Sequence, residues 1–140
     1  MTLRRKSREF ALQMLFEWDM ARQKPARIEQ NFWKSARAVD STRKFAVQLF
    51  EGAVAEADKS DAMVQKLSAN WRLDRLAAVD RNILRLAIFE LRHGTAPARV
   101  VMDEALELAK KFSSEDSASF LNGILDAACK ALESVPAAKK

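Results

Sequence analysis

The fold of this chain is predicted most directly from residues 103–126, which read DEALELAKKFSSEDSASFLNGILD. Apolar residues recur there at intervals of three and four on both sides of a polar segment, residues 113–117, and this spacing is typical of two amphipathic helices. The serines of that segment are N-cap candidates, and Glu115 and Asp116 place acids in the first turn of the second helix, where the helix dipole favours them. We therefore predict two helices that meet at a short polar turn, with Phe120 just beyond it and off the apolar face of its helix.

Helical spacing continues through the rest of the chain, and no segment shows the sustained alternation that is typical of a strand. We predict an all-α fold of about seven helices in one domain, packed as two subdomains, residues 1–72 and 73–135, with residues 71–76 as the join and 136–140 as a frayed tail. Four of the predicted helices cover about residues 3–22, 27–37, 100–112 and 115–133. Of the other three, one is capped by Asp40 or Ser41 and has an apolar face that extends to Ala57, and the next begins at Ser60 or Asp61. The last of the three begins at Asp80 and ends at a left-handed Gly94.

The apolar faces of these helices predict the core. They are the positions that recur once per turn, and burying them is the main favourable contribution to folding. The predicted core residues are Ala11, Met14, Leu15, Trp18, Ile28, Phe32, Ala46, Leu49, Phe50, Ala53, Ala57, Val64, Leu67, Ile83, Leu84, Ala87, Ile88, Leu91, Val101, Ala105, Leu108, Ala109, Phe112, Leu121, Ile124, Leu125 and Ala128, with Trp33 as a further candidate.

Length and composition indicate a soluble protein. The 140 residues are 49% apolar and 31% charged, which is the balance of a folded soluble chain. Cys129 is the single cysteine, so no internal disulfide can form and a reducing compartment is expected. No apolar run is long enough to span a membrane, and the first residues lack the apolar stretch of a signal peptide. We therefore expect a cytoplasmic protein.

The sequence offers no convergent set of catalytic groups. The single histidine, His93, precedes Gly94 at a predicted helix end, where a positive charge is favourable without any catalytic role. There is no Cys/His spacing for zinc and no glycine-rich phosphate loop. We expect no enzymatic activity, no cofactor and no metal site.

Positive charge is concentrated at the beginning of the chain. The net charge is +5, and residues 1–44 alone carry 11 Lys and Arg against 5 Asp and Glu. Within the first predicted helix, Arg4, Arg5, Lys6 and Arg8 repel one another at the positive end of the helix dipole. Because the fold is expected to gain nothing from this cluster, a polyanion partner such as RNA is the sharper interpretation, and a solvated, frayed terminus is the alternative.

Three segments resemble the NusB family of transcription antitermination factors. Residues 8–18, REFALQMLFEW, resemble the family's opening helix with its arginine-rich tip. Residues 79–91, VDRNILRLAIFEL, resemble its central helix, and residues 103–126 resemble its C-terminal signature. The three segments follow the family's order along nearly the whole chain.

The resemblance implies an all-helical, non-catalytic protein that pairs with a ribosomal small-subunit protein, NusE, to bind the single-stranded boxA element of nascent RNA. RNA polymerase carrying this complex with NusA and NusG reads through terminators, notably in ribosomal RNA operons. By position, the residues implied to contact RNA are Arg4, Arg5, Lys6, Arg8, Asp116 and Phe120, and those implied to contact the protein partner are Phe16 and Asp80.

Two of these positions depart from the family's pattern. Phe16 stands where a tyrosine is common, so a hydroxyl hydrogen bond to the partner is missing here. Asp80 stands where a glutamate is common, so its carboxylate reaches one methylene less far. For Phe120 the spacing leaves two interpretations open, a ring on which a base stacks and a core side chain.

A second class of function stays open at this stage. A helical module that binds only proteins, with a basic tip unrelated to RNA, would have the same pattern of helices. The sequence also leaves open whether the protein forms a homodimer through the surface that receives its partner. A steep salt dependence of RNA binding would distinguish the first class from the second, because phosphate contacts release counterions.

Overall fold

Seven α-helices and no strands make up the secondary structure of residues 3–68 and 76–133, the ranges that the computed structural model describes. This confirms the predicted fold class. The predicted tail and all but the last residue of the predicted join lie outside these ranges. The helices are α1 Leu3–Ala21, α2 Pro25–Ser35, α3 Asp40–Ala55, α4 Ala57–Leu67, α5 Ala78–His93, α6 Ala98–Phe112 and α7 Glu115–Glu133.

Helix α5 is the centre of the structure. It packs against α1, α3, α4, α6 and α7, and every residue from Asn82 to Glu90 is buried. A helix that is buried on all sides needs apolar residues on all sides, and Leu84, Leu86 and Ile88 meet this requirement. The core is therefore arranged around one helix that the others surround.

The polar residues of α5 are buried together with partners from other helices. Asp19 on α1 accepts hydrogen bonds from Arg81 Nε and Nη2 at 2.9 and 2.7 Å and from Asn82 Nδ2 at 3.1 Å. Arg85 pairs with Asp61 on α4 through two hydrogen bonds of 2.8 Å. Burial raises the pKa of Asp19, but the hydrogen bond from Arg81 and the charge of Arg85 outweigh it and hold the pKa below its ordinary value. Buried charges are thus paired across helices, as their desolvation requires.

The predicted core faces are buried almost throughout. Members of every predicted face, from Ala11 and Met14 on α1 to Leu125 and Ala128 on α7, belong to one continuous cluster. Six predicted core residues are only partly buried against that cluster and are therefore boundary residues: Trp18, Phe32, Trp33, Leu67, Leu91 and Phe112. The helical period identified these faces because it is a local property of each segment.

Several helix boundaries differ from the prediction by one to a few residues: α2 is Pro25–Ser35, not 27–37, α5 begins at Ala78, not at Asp80, and α6 begins at Ala98, not at residue 100. Helix α1 ends before Lys24 and Pro25, because Arg22 adopts a left-handed conformation with φ 56° and its N–H bonds to Trp18 O. Helix α4 begins at Ala57, not at Ser60, because only Glu56 separates it from α3. Gly94 takes the predicted left-handed conformation, φ 61°, after α5.

Within the described ranges, no helix is both long enough and apolar enough to cross a membrane.

Candidate nucleic-acid interface

Two of the four cations at the start of α1 are exposed. The guanidinium of Arg4 lies 3.8 Å from the centroid of the Phe45 ring on α3, a cation–π arrangement that orients it, and no side-chain hydrogen bond to a described residue occupies its N–H donors. The Lys6 ammonium lies 5.1 Å from the centroid of Phe10 and 3.9 Å from Glu9 Oε1. Both side chains are therefore held near aromatic rings and remain accessible to an anion.

The other two cations form ion pairs within the fold, which corrects the expectation that the fold gains nothing from this cluster. Arg5 makes a bidentate pair with Glu104 on α6, with distances of 2.9 and 2.7 Å, and its side chain is 36% exposed. The hydrogen bond from Arg5 holds the pKa of Glu104 below its ordinary value. Arg8 is 4% exposed and pairs with Glu90 on α5 through two bonds of 2.8 Å. Because Arg8 is enclosed, its guanidinium has no exposed side for a phosphate.

A further cation, which the sequence reasoning did not single out, lies beside the same end of α1. Lys111 Nζ is 2.9 Å from Glu9 Oε2, and its side chain is 51% exposed. Lys110 and Lys111 form the basic last turn of α6, immediately before the polar turn. The two lysines in residues 103–126 were the only sign of this cation in the sequence. In the structure Lys6 and Lys111 lie near the two carboxylate oxygens of Glu9, which brings Lys111 to the start of α1.

The turn between α6 and α7 is built by serines and an aspartate. Ser114 Oγ accepts from the Ser117 N–H at 3.0 Å, which caps the start of α7. Ser113 Oγ donates to Ser117 Oγ at 3.0 Å, and Ser117 Oγ donates to Asp80 Oδ2 at 2.9 Å. This series of hydrogen bonds fixes the start of α7 against the start of α5. The predicted N-cap is thus confirmed at Ser114.

The structure places Asp116 and Phe120 on the first two turns of α7, beside this turn. Asp116 is exposed, whereas Phe120 is half-buried and packs against the core cluster. The ring is therefore neither a free platform nor a fully enclosed core residue. Whether these two residues contact RNA stays a prediction.

Phe16 and Val79, the residue before Asp80, both line an open apolar cavity of about 380 Å³. Phe16 is 39% exposed. Asp80 itself is 6% exposed, with Oδ2 bound to Ser117 and Oδ1 buried without a hydrogen-bond donor among the described residues. The lining residues are Leu12, Gln13, Phe16, Glu17, Phe32, Val79 and Phe112.

Comparison with known proteins identifies the family of the chain. The sequence profile of the NusB family matches residues 5–130. The chain belongs to the NusB family. One NusB relative, the transcription antitermination protein NusB of Koribacter versatilis (strain Ellin345), is 43% identical over 132 residues, which cover 93% of this chain and 90% of the relative.

Two solved NusB structures have the same fold. T. maritima NusB superposes with a TM-score of 0.83 at 32% sequence identity, covering 97% of this chain and 95% of that chain. The NusB fold also matches a chain in the crystal structure of the antitermination factors NusB and NusE in complex with dsRNA, with a TM-score of 0.82 at 29% identity, covering 92% of this chain and 97% of that chain. The family resemblance and the fold predicted from the sequence are both confirmed.

Proposed function

We propose that this chain is a non-catalytic transcription antitermination factor that pairs with the ribosomal protein NusE and, as that pair, binds the boxA element of nascent RNA. With RNA polymerase, NusA and NusG, the complex then reads through terminators, notably those of ribosomal RNA operons. Membership of the NusB family supports the general role, and the solved NusB–NusE–dsRNA complex of a relative supports both classes of partner.

The observation that carries the proposal is the grouping of four cations around the start of α1, of which Arg4, Lys6 and Lys111 are exposed. We define the RNA surface as Arg4, Arg5, Lys6 and Lys111, continued by Asp116 and Phe120 at the start of α7. Aromatic packing and ion pairs hold these cations in place, so they lose little side-chain entropy when phosphate binds. Arg8 serves this surface indirectly, because its pair with Glu90 holds α1 against α5.

The partner surface in this proposal is the apolar cavity beside Phe16. An exposed aromatic ring at the edge of a concave apolar site is the kind of anchor that protein partners bury. Asp80 contributes at its border, where its carboxylate fixes the α6–α7 turn and thereby joins the partner surface to the RNA surface.

A gel shift on boxA-like RNA, with and without NusE, tests the RNA-binding part. The RNA is supplied in single-stranded and double-stranded forms, and affinity is measured across a series of salt concentrations. Arg4→Ala with Arg5→Ala should weaken binding and reduce the salt slope by roughly 0.7–0.9 for each phosphate that is no longer neutralised. Lys59→Ala with Lys66→Ala on α4 removes the same charge from exposed positions elsewhere and should leave the slope unchanged.

Two outcomes would overturn this assignment. Equal slopes for the two double variants would mean that the cations at the start of α1 act only within the fold. Absence of RNA binding by wild type in the presence of NusE would favour the protein-interaction module. The internal pairs of Arg5 and Arg8 are the observation on which that second candidate rests.

Pairing with NusE is tested separately through Phe16→Ala. The variant should reduce NusE binding in calorimetry by at least tenfold, an effect typical of truncating a buried aromatic anchor, while its melting temperature stays close to that of wild type. Light scattering of the free protein establishes whether the same face supports a homodimer. A transcription assay with RNA polymerase, NusA and NusG then measures read-through of terminators. In the calorimetry, a NusE affinity of Phe16→Ala equal to that of wild type would contradict the assigned partner surface.

A further inference from the structure

A second group of cations lies at the corner between α2 and α3, which no part of the family resemblance assigned. Trp33, Lys34, Ala36, Arg37, Ala38 and Arg43 line an open cavity there of about 210 Å³. We call this group the α2–α3 corner. Three of its six lining residues carry positive charge, and none is acidic. A concave site with that lining has the charge that attracts phosphates.

The cations of this corner form no ion pair with a carboxylate among the described residues. Lys34, Arg37 and Arg43 are exposed, and none of them makes an ion pair with any residue in the ranges 3–68 and 76–133. They therefore differ from Arg5 and Arg8, which have bidentate carboxylate partners. Two acids belong to the same helices: Asp40 is exposed in the first turn of α3, and the charge of Arg43 lowers the pKa of Glu29 on α2 against the larger effect of burial.

Trp33 gives the corner a rigid base. Its ring packs edge-on against Phe10 and Phe32, with centroids 5.3 and 4.9 Å apart. The guanidinium of Arg43 lies 5.0 Å from the centroid of the Trp33 ring, which orients it while its N–H donors stay available. The Trp33 Nε1–H is itself buried without an acceptor among the described residues. The arrangement resembles that of Arg4 on Phe45, an arginine supported by an aromatic ring.

The corner is continuous with the RNA surface. Lys6 lies over Phe10, Phe10 packs on Trp33, and Arg43 lies over Trp33, with successive distances of 5.1, 5.3 and 5.0 Å. In addition, Ser7 Oγ donates to Thr42 O at 2.8 Å, which ties the start of α1 to the start of α3. Cations and aromatic rings thus follow one another from the start of α1 to the α2–α3 corner.

We propose that the α2–α3 corner binds the phosphate backbone of the RNA segment that flanks boxA, so that the RNA path extends beyond the family signature. This inference rests on the proposed function, because it assigns more of the same ligand. Arg37 and Arg43 supply planar donor sets for phosphate oxygens, and Lys34 supplies a point charge. The corner reads no bases, since the Trp33 ring is occupied by Arg43 and its aromatic neighbours.

The experiment compares three single-stranded RNAs in the presence of NusE: a boxA-like core, and the same core extended by uridines on its 5′ or its 3′ side. For wild type, one extended RNA should show a steeper salt slope than the core, by roughly 0.7 for each additional phosphate that is neutralised. Lys34→Ala with Arg37→Ala should return that slope to the value of the core and leave the affinity for the core unchanged. Lys59→Ala with Lys66→Ala is the matched control and should retain the steeper slope.

The outcomes separate this inference from the function on which it rests. If wild type binds the core but neither extension steepens the slope, or if the double variant retains the full increase, the corner is not an RNA site. The same holds if the variant loses affinity for the core and the extended RNA equally. If wild type fails to bind the core, the proposed function itself is wrong. Circular dichroism melts confirm that the variants are folded, which is expected because both side chains are exposed and form no ion pair within the described part of the chain.

Discussion

Arg8 on α1 and Glu90 on α5 form a bidentate ion pair with side chains that are only 4% and 2% exposed. The two hydrogen bonds are each 2.8 Å, and the Thr95 hydroxyl donates a third bond, of 2.6 Å, to Glu90 Oε1. The pair divides the basic start of α1 into cations that hold helices together and cations that face outward. The four cations that lie close together in the sequence therefore have two different roles: Arg5 and Arg8 pair with carboxylates of other helices, and Arg4 and Lys6 face the solvent.

Removing one partner of this ion pair should destabilise the protein, whereas replacing both partners with apolar residues should not. Arg8→Met alone and Glu90→Met alone each leave a buried charge without its partner, so each should lower the free energy of unfolding by about 3–5 kcal/mol. The double replacement leaves no buried charge and should recover most of that stability. Urea unfolding of the three variants measures the difference. A double variant that is no more stable than the single ones would show that Arg8 has a role beyond this pair.

Asp116→Asn should tighten RNA binding and slightly lower the melting temperature. The carboxylate is exposed beside the proposed RNA surface, where it repels phosphate, and it also stabilises the first turn of α7 by a few tenths of a kcal/mol. Asp58→Asn is the matched control, because Asp58 is an exposed acid in the first turn of α4. Gel-shift affinities decide the question. An equal increase in affinity for both variants would mean that only the net charge matters.

Phe120→Leu should separate packing from stacking. Leucine retains most of the apolar contact that the half-buried ring makes with the core, so stability should change by less than about 1.5 kcal/mol. It removes the π-face, so RNA affinity should fall by about 1–3 kcal/mol if a base stacks there. Phe120→Ala should lose both properties. Should Phe120→Leu bind RNA as well as wild type does, the residue belongs to the core alone.

Glu29 should make the protein less stable as the pH rises toward neutrality. Burial, and then the neighbouring Glu51, raise the pKa of the Glu29 carboxyl to about 7. Between about pH 4.3, where the unfolded chain loses this proton, and pH 7, the folded protein keeps it, so the contribution to stability is lost across that interval. Glu29→Gln should therefore be more stable than wild type at pH 8, by about 1–2 kcal/mol because the carboxyl is only partly buried, and equal to it near pH 4.

Thermal unfolding across this pH range measures the effect, with Glu51→Gln as the control. That variant removes the second cause of the raised pKa and leaves burial, so it should reduce the pH dependence without abolishing it. A wild-type stability that rises between pH 5 and pH 7 more steeply than that of Glu29→Gln would contradict the sign of the prediction.

Gly52→Ala should be destabilising because α3 and α5 approach closely at this position. A Cβ on Gly52 would clash with the ring of Phe89, which is buried and packs at a tilt of 37° on His93 with centroids 4.6 Å apart. Displacing such a ring should cost about 1–3 kcal/mol. The shorter side chain of Phe89→Leu should relieve the clash, so urea unfolding should find the double variant more stable than the sum of the single effects implies. Purely additive effects would show that the ring moves aside freely.

Many residues of the candidate site could be predicted from the sequence, but which of its cations pair within the fold and which face the solvent could not. The charge cluster, the serine cap and the aromatic at position 120 are local patterns, and the structure contains all of them. Lys111 was overlooked because its pairing with Glu9 depends on where α6 lies relative to α1. The α2–α3 corner was overlooked for the same reason, since Lys34 and Arg43 belong to different helices and meet only at the loop that joins them.

The amphipathic spacing by itself determined which segments are helices and which faces are buried, because periodicity depends only on neighbours along the chain. The tertiary structure decided which charges are free. Glu90 and Glu104 lie 82 and 99 residues from Arg8 and Arg5, so no local pattern pairs them. Charged residues between the apolar positions of α5, such as Arg85 and Glu90, were the sign in the sequence that buried partners exist. The identity of each partner depends on helix packing, because an ion pair is specified by distance in space and not by separation along the chain.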